Sequence, residues 1–191
     1  MILDMLQKII LASASPRRRE LMGYTGLDFA VQVADVEETG QGTPKEIVEQ
    51  NAKLKGLAVA KQHPDCVVLS ADTVVAVQGQ VLGKPKDEED AVRMLHMLEG
   101  AWHEVYTGVT LIWPEHEKTV SDISRVHFSP LSDSVIRRYV KTGEPMDKAG
   151  AYALQGIGGM FVDRIEGSYS NVIGLPMALV RSLLLEAGYE I

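Results

Sequence analysis

Ile9-Ile10-Leu11-Ala12-Ser13-Ala14-Ser15-Pro16-Arg17-Arg18-Arg19-Glu20-Leu21-Met22 is the stretch from which the fold can be read. An apolar run breaks at small residues, and the chain then enters a helix at Pro16, where a missing N–H does no harm and Ser15 can cap the open donors. The spacing predicts strand, short loop, helix. Arg17, Arg18 and Arg19 stand in the first turn of that helix against the dipole, which favours anions there and cations at the far end. Two readings follow. Either the arginines are a solvated face that pairs with Glu20 and distant acids, or helix N–H donors and forked guanidiniums together hold phosphate oxygens.

The 191-residue chain is 46% apolar and 24% charged. That is the balance of an ordinary globular protein, with enough length for one sizeable core or two small lobes sharing a cleft. A net charge of −7 argues against a protein that coats DNA or RNA, whose binding rests on neutralising many phosphates. A small anionic ligand needs only a local positive pocket. Cys66 is the only cysteine, so no intrachain disulfide can form, and its place in Cys66-Val67-Val68-Leu69 favours a buried thiol. Met1 to Lys8 has too short an apolar stretch and too little positive charge for a signal peptide, and no later run approaches membrane-spanning length. A cytoplasmic protein with no membrane partner is expected. The histidines at 63, 96, 103, 116 and 127 lack ligand-like spacing, which argues against a histidine zinc site.

Outward from the first unit, Leu27 to Val33 reads as a strand and Asp35 to Gly42 as an acidic loop that holds Glu37 and Glu38. Thr43-Pro44-Lys45-Glu46 opens a helix with a capping box, and Ile47, Leu54, Leu57 and Ala58 trace its apolar stripe. Asn51 falls on that stripe, with Lys55 four residues further on. A hydrogen-bonded core asparagine beside a snorkelling lysine fits this pattern, and so does a pair of site groups. Cys66 to Val77 is the most apolar, β-branched run and reads as a central strand. Asp72 interrupts it, and a carboxylate there must be paired, hydrogen-bonded or bound to a metal. Gln78-Gly79 reads as a hairpin turn with Val81-Leu82 as the return strand, and Gly83 and Pro85 fix the backbone around Lys84.

Asp87 to Glu99 is an amphipathic helix stopped by Gly100, Trp102 to Ile112 and Thr119 to Phe128 are paired strands, and Ser132 to Thr142 is a capped helix. Gly143 to Gly156 reads as an irregular loop, Gly156 to Gly159 as a turn, and Met160 to Ile165 as a strand. Gly167 to Pro176 reads as a second glycine-bounded loop, and a last helix runs from Pro176 to Gly188. The expected class is α/β with a mixed sheet. No Gly-x-x-x-x-Gly-Lys-Ser/Thr occurs, which speaks against a kinase or GTPase of the P-loop type.

Taken together, Leu11-Ala12-Ser13-Ala14-Ser15-Pro16-Arg17-Arg18, Ser70-Ala71-Asp72-Thr73, Leu82-Gly83-Lys84-Pro85, the run Glu144 to Tyr152, and Gly174-Leu175-Pro176 closely resemble the Maf family of nucleoside triphosphate pyrophosphatases. The motifs occur in order from about Ile9 to the last helix. The resemblance implies an elongated two-lobed structure similar to inosine triphosphate pyrophosphatases, with a nucleotide cleft between the lobes. It implies one domain over residues 1–191 with a short N-terminal extension at 1–8. It further implies hydrolysis of a nucleoside triphosphate to the monophosphate and pyrophosphate, a divalent metal (Mg²⁺, or Mn²⁺ or Co²⁺ in its place), and a homodimer.

Position by position, the resemblance makes Asp72 the proton acceptor, with Glu37 and Lys84 as its catalytic companions. With a divalent metal implied, Glu37 and Asp72 are the carboxylates expected to hold it. Ser13, Arg17, Glu37, Lys55 and Lys84 match residues that bind the triphosphate, and Arg18 and Lys148 lie in motifs that touch substrate. Arg17, Thr73 and Gln155 match positions associated with substrate choice. The run Met146-Asp147-Lys148-Ala149-Gly150-Ala151-Tyr152 looks like the subgroup acting on dTTP and UTP, whereas the subgroup preferring 7-methyl-GTP tends to carry cysteine where Lys148 stands. A non-hydrolytic nucleotide-binding regulator of cell division and septum formation is the rival expectation, and the acid pair Glu37 and Asp72 favours the enzyme.

Overall fold

Ile9–Leu11 forms strand β1, entirely buried, and Pro16–Gly23 forms helix α1 directly after Ser15, whose side chain accepts from the Arg18 N–H at 3.4 Å. A computed structural model describes residues 7–191, so the expected extension lies outside the described residues except for Gln7 and Lys8. The chain continues through β2 (Phe29–Val31), α2 (Pro44–Ala60), β3 (Val67–Val77), β4 (Gln80–Leu82), α3 (Glu88–Leu98), β5 (Trp102–Trp113) and β6 (His116–Phe128). It ends with α4 (Asp133–Val140), β7 (Val162–Glu166), α5 (Tyr169–Ile173) and α6 (Met177–Glu186).

The strands make one mixed sheet in the order β2-β1-β3-β5-β6-β7, with β4 paired to β3. The expected α/β class with a mixed sheet is therefore the observed one. β1 runs parallel to both neighbours, Ile9 lying opposite Phe29 and Val67. β4 is antiparallel to β3, with Val75 opposite Leu82, and β7 is antiparallel to β6. Burial on both faces explains why β1 and most of β3 read as continuous apolar runs.

Two compact units divide the chain. One comprises Met1–Asp72, Thr107–Asp122 and Gly174–Ile191, the other Thr73–Tyr106 and Ile123–Ile173. In the first unit Ile10, Ala12, Val59 and Val68 pack with Ala34, Ala60, Cys66 and Ile112. Cys66 is half-buried rather than the buried thiol expected, because it precedes β3 instead of lying in it.

The buried face of α2 also differs from the expected stripe. Leu54 and Leu57 are exposed, while Ile47, Val48, Asn51, Ala52, Gly56 and Val59 are buried. Closeness of approach decides this. A Cβ on Gly108 would stand 2.4 Å from the Val48 carbonyl oxygen, and one on Gly56 would stand 2.7 Å from Ser70 Oγ. Ser70 Oγ donates to the Ala52 carbonyl at 2.6 Å, pinning the helix to β3. The small residues, not the leucines, are what let the helix lie this near the sheet.

In the second unit the stretch expected as irregular loop contains 3-10 turns at Glu144–Asp147 and Ala149–Ala151. A third at Ile157–Phe161 delays β7 to Val162. The second glycine-bounded loop holds helix α5, fixed from a distance: Ser168 N–H donates to Ser124 Oγ at 3.0 Å, and Ser168 Oγ accepts from Asn171 N–H at 3.2 Å. A five-residue helix has little stability of its own, and this contact spans 44 residues of sequence.

Phe128, Tyr152 and His103 form an aromatic centre in this unit, with Phe128 and Tyr152 ring centroids 4.7 Å apart and His103 Nε2 2.8 Å from the Tyr152 hydroxyl. Burial first, and the nearby His127 second, pull the His103 pKa from 6.5 to about 3. Between those values the unfolded chain binds the proton and the folded chain does not, so stability falls as pH falls. The slope is at most about 1.4 kcal/mol per pH unit. His103→Gln removes this contribution, and its urea midpoint should decline less steeply than wild type between about pH 6.5 and about pH 4.5.

Candidate active site

Asp72 lies near the middle of β3 and is 7% exposed. Its Oδ1 accepts from Lys55 Nζ at 2.8 Å and its Oδ2 from Asn51 Nδ2 at 3.0 Å. Both donors come from α2, four residues apart and hence on one face. The close approach permitted by Gly56 and Gly108 is what brings them to the strand.

Asn51 does more than meet Asp72. Its Oδ1 accepts from Thr39 N–H at 2.8 Å and its Nδ2 donates to the Thr39 carbonyl at 3.0 Å, so one amide fastens the acidic loop to the carboxylate. Lys55 Nζ also lies 2.7 Å from Glu38 Oε1. The loop acid facing the lysine is therefore Glu38; Glu37 is its exposed neighbour.

The β1–α1 corner supplies the cations. Ser13 is buried, and its Oγ accepts from Ser15 N–H at 3.2 Å and Arg18 Nη1 at 3.4 Å. Arg18 Nε donates to the Gly174 carbonyl at 2.7 Å. Burial lowers the Arg18 pKa from its ordinary value and Arg17 adds to this, while Asp72 and Glu38 raise it. A guanidinium keeps its charge under such opposing influences. Arg17 is half-buried beside it and Arg19 is exposed, so the solvated-face reading describes Arg19. No acid occupies the first turn of α1.

The second unit carries the remaining positions. Thr73 follows Asp72 on β3 and is half-buried. Lys84 is exposed and Lys148 half-buried, and the Gly150 N–H donates to the Gly83 carbonyl at 3.1 Å, which ties the two lysine-bearing segments together. Gly150 has φ +69, and a Cβ there would stand 2.7 Å from Val75 Cγ2, so this junction requires glycine. Lys148 Nζ pairs with Asp147. Gln155 is exposed on the loop before Ile157–Phe161.

Asp72, Glu37 and Glu38 offer hard carboxylate oxygens, the donor type that suits Mg²⁺. Among the described residues no three His, Cys, Asp or Glu side chains converge as a metal site. A divalent cation here would take one or two carboxylates and complete its shell with substrate oxygens and water. Glu38 is the residue that sequence reasoning left out of the site, and Asn51 is one whose site role it left open. The signal for Asn51 was its polar side chain on an apolar stripe; for Glu38 no local signal distinguishes it from Glu37.

The geometry defines an α/β protein with a cationic cluster built around one oriented, buried carboxylate. Residues 8–187 match the family described as Maf-like protein, and the chain belongs to the Maf family. Three relatives, each named dTTP/UTP pyrophosphatase, are similar over nearly the whole length. The protein from Dictyoglomus turgidum is 45% identical over 98% of this chain and 100% of its own. That from Pelotomaculum thermopropionicum is 47% identical over 97% and 100%. That from Hahella chejuensis is 46% identical over 97% and 94%.

Proposed function

We propose that this protein hydrolyses dTTP and UTP to the nucleoside monophosphate and pyrophosphate by attack of water on the α-phosphorus. The observation that carries the reading is the Asp72 carboxylate, buried in a strand with one oxygen fixed by Lys55 and the other by Asn51. A carboxylate with its orientation set in advance suits a general base that must align a water in line with a leaving group. Lys55, Arg17, Arg18 and the first N–H groups of α1 stabilise negative charge developing on the phosphate oxygens and the departing pyrophosphate. Ser13 orients the Arg18 guanidinium through the hydrogen bond already described.

Asp72 with Glu37 would hold Mg²⁺, with Mn²⁺ or Co²⁺ as substitutes, and Glu38 shares Lys55 with Asp72. When bound, such an ion neutralises charge on the phosphate oxygens and lowers the pKa of water. Arg17, Thr73 and Gln155 carry over from the resemblance as residues that choose the substrate, Lys84 as one that binds the triphosphate, and Lys148 is a further substrate-binding residue of this reading. The same reading places the protein in the cytoplasm as a homodimer. Among the described residues no helix is long and apolar enough to cross a membrane.

The test is pyrophosphate release from dTTP, UTP, CTP, GTP, ATP and 7-methyl-GTP, with Mg²⁺ and with chelator. Metal-dependent release that is fastest with dTTP and UTP is the expected result. Tight nucleotide binding without release would overturn the enzyme and favour a regulator of cell division.

A further inference from the structure

We propose that Glu144 sets the base selectivity of the site by clamping the loop that carries Gln155, a positioning role that rests on the function just proposed. Glu144 opens the 3-10 turn that follows Gly143. Its Oε1 accepts from the Tyr139 hydroxyl at 2.8 Å and from Gly158 N–H at 3.0 Å, and its Oε2 accepts from Ile157 N–H at 3.0 Å. The Tyr139 oxygen in turn accepts from Ala153 N–H at 3.4 Å. The loop is thereby fastened at both ends, at Ala153 through Tyr139 and at Ile157 and Gly158 through Glu144. Gln155 stands between the two fastenings, exposed.

The loop has no slack. A Cβ on Gly156 would lie 2.6 Å from Glu144 Oε2, one on Gly158 would lie 2.6 Å from the Tyr139 hydroxyl, and one on Gly159 would lie 2.3 Å from the Leu154 carbonyl oxygen. The glycines let the backbone wrap directly around the carboxylate, so the position of Gln155 follows from where Glu144 sits. Burial alone would raise the Glu144 pKa, but the Gly158 N–H, the Tyr139 hydroxyl, the Ile157 N–H and the Lys148 charge together lower it. A carboxylate answering three donors is the species that fits. Glutamine cannot replace it, because its NH₂ would face the N–H of either Gly158 or Ile157.

Specificity that depends on a hydrogen-bonding side chain is lost when that side chain wanders, even if the rest of the site is intact. The test is therefore selectivity in binding, read with α,β-imido analogues of dTTP and dCTP, which share one sugar and cannot be cleaved between the α- and β-phosphates. In Glu144→Gln the ratio of the two Kd values should fall about tenfold towards parity, mainly through weaker dTTP-analogue binding. Gln155→Ala should lose selectivity to a similar degree, and the double variant should be no worse than Gln155→Ala, since the clamp acts only through Gln155. Tyr139→Phe, which loosens the other end, should give a smaller shift in the same direction and serves if Glu144→Gln does not fold. An unchanged ratio, equal weakening for both analogues, or effects that add in the double variant would overturn the proposal. Failure of the proposed reaction shows up separately, as absence of pyrophosphate release by the wild type.

Discussion

Asp72→Asn is expected to lower kcat for dTTP by about 10³-fold while leaving a folded protein, because it removes the proposed base and its charge but not the shape. Asparagine can still accept from one neighbour, Lys55 or Asn51, but it then turns an NH₂ towards the other, and two donors face each other across about 3 Å. A loss of about 1–2 kcal/mol in stability follows from that mismatch. Steady-state kinetics with dTTP and a urea unfolding curve measure the two effects on the same preparation. Wild-type turnover in this variant would remove Asp72 from the mechanism.

Gly108→Ala should be the most damaging single methyl in the first unit. Its Cβ would meet Val48 O at 2.4 Å, Val48 C at 2.5 Å and Glu49 N at 2.8 Å, all backbone atoms of α2 that no rotamer change can move. The helix must lift from the sheet, and overpacking of this kind costs on the order of 3 kcal/mol. Activity should drop as well, by about 10–100-fold, because Asn51 and Lys55 ride on the displaced helix and a shift near 1 Å spoils alignment. Gly56→Ala is the comparison. Its Cβ meets Ser70 Oγ and Ile112 Cδ1, side-chain atoms that can give way, so its unfolding midpoint should lie much closer to wild type. Equal losses in the two variants would refute the idea that backbone proximity at Gly108 positions the site.

Much of the first unit was legible because its signals are local. Ser15 before Pro16, the capping box of Thr43 with Glu46, and a lone Asp72 in a β-branched run each have one short-range physical cause, and each is found in place. The orientation of α2 was not legible, because Leu54 and Leu57 carry the hydrophobic signal while Ala52, Gly56 and Gly108 carry the contact. A missing side chain gives no periodic signal. The same holds for α5 and the 3-10 turn at Ile157–Phe161, which are held by Ser124 and Glu144 from elsewhere in the chain. At the site, sequence marked Asn51 and Lys55 as anomalous but could not say that both reach Asp72, nor that Glu38 rather than Glu37 reaches Lys55.

Lys55 already has two carboxylate partners, Asp72 and Glu38, before any nucleotide arrives. Engaging this lysine with a phosphate is thus an exchange of one anion for another, and the displaced Glu38, with its side chain 54% exposed, is free to take up water and counterions. Under the proposed function, fewer bulk ions change hands than a count of the proposed phosphate-binding cations suggests. The dependence of log Kd on log salt should accordingly be shallower than a count of Arg17, Arg18 and Lys55 would give, and Glu38→Gln should make it steeper.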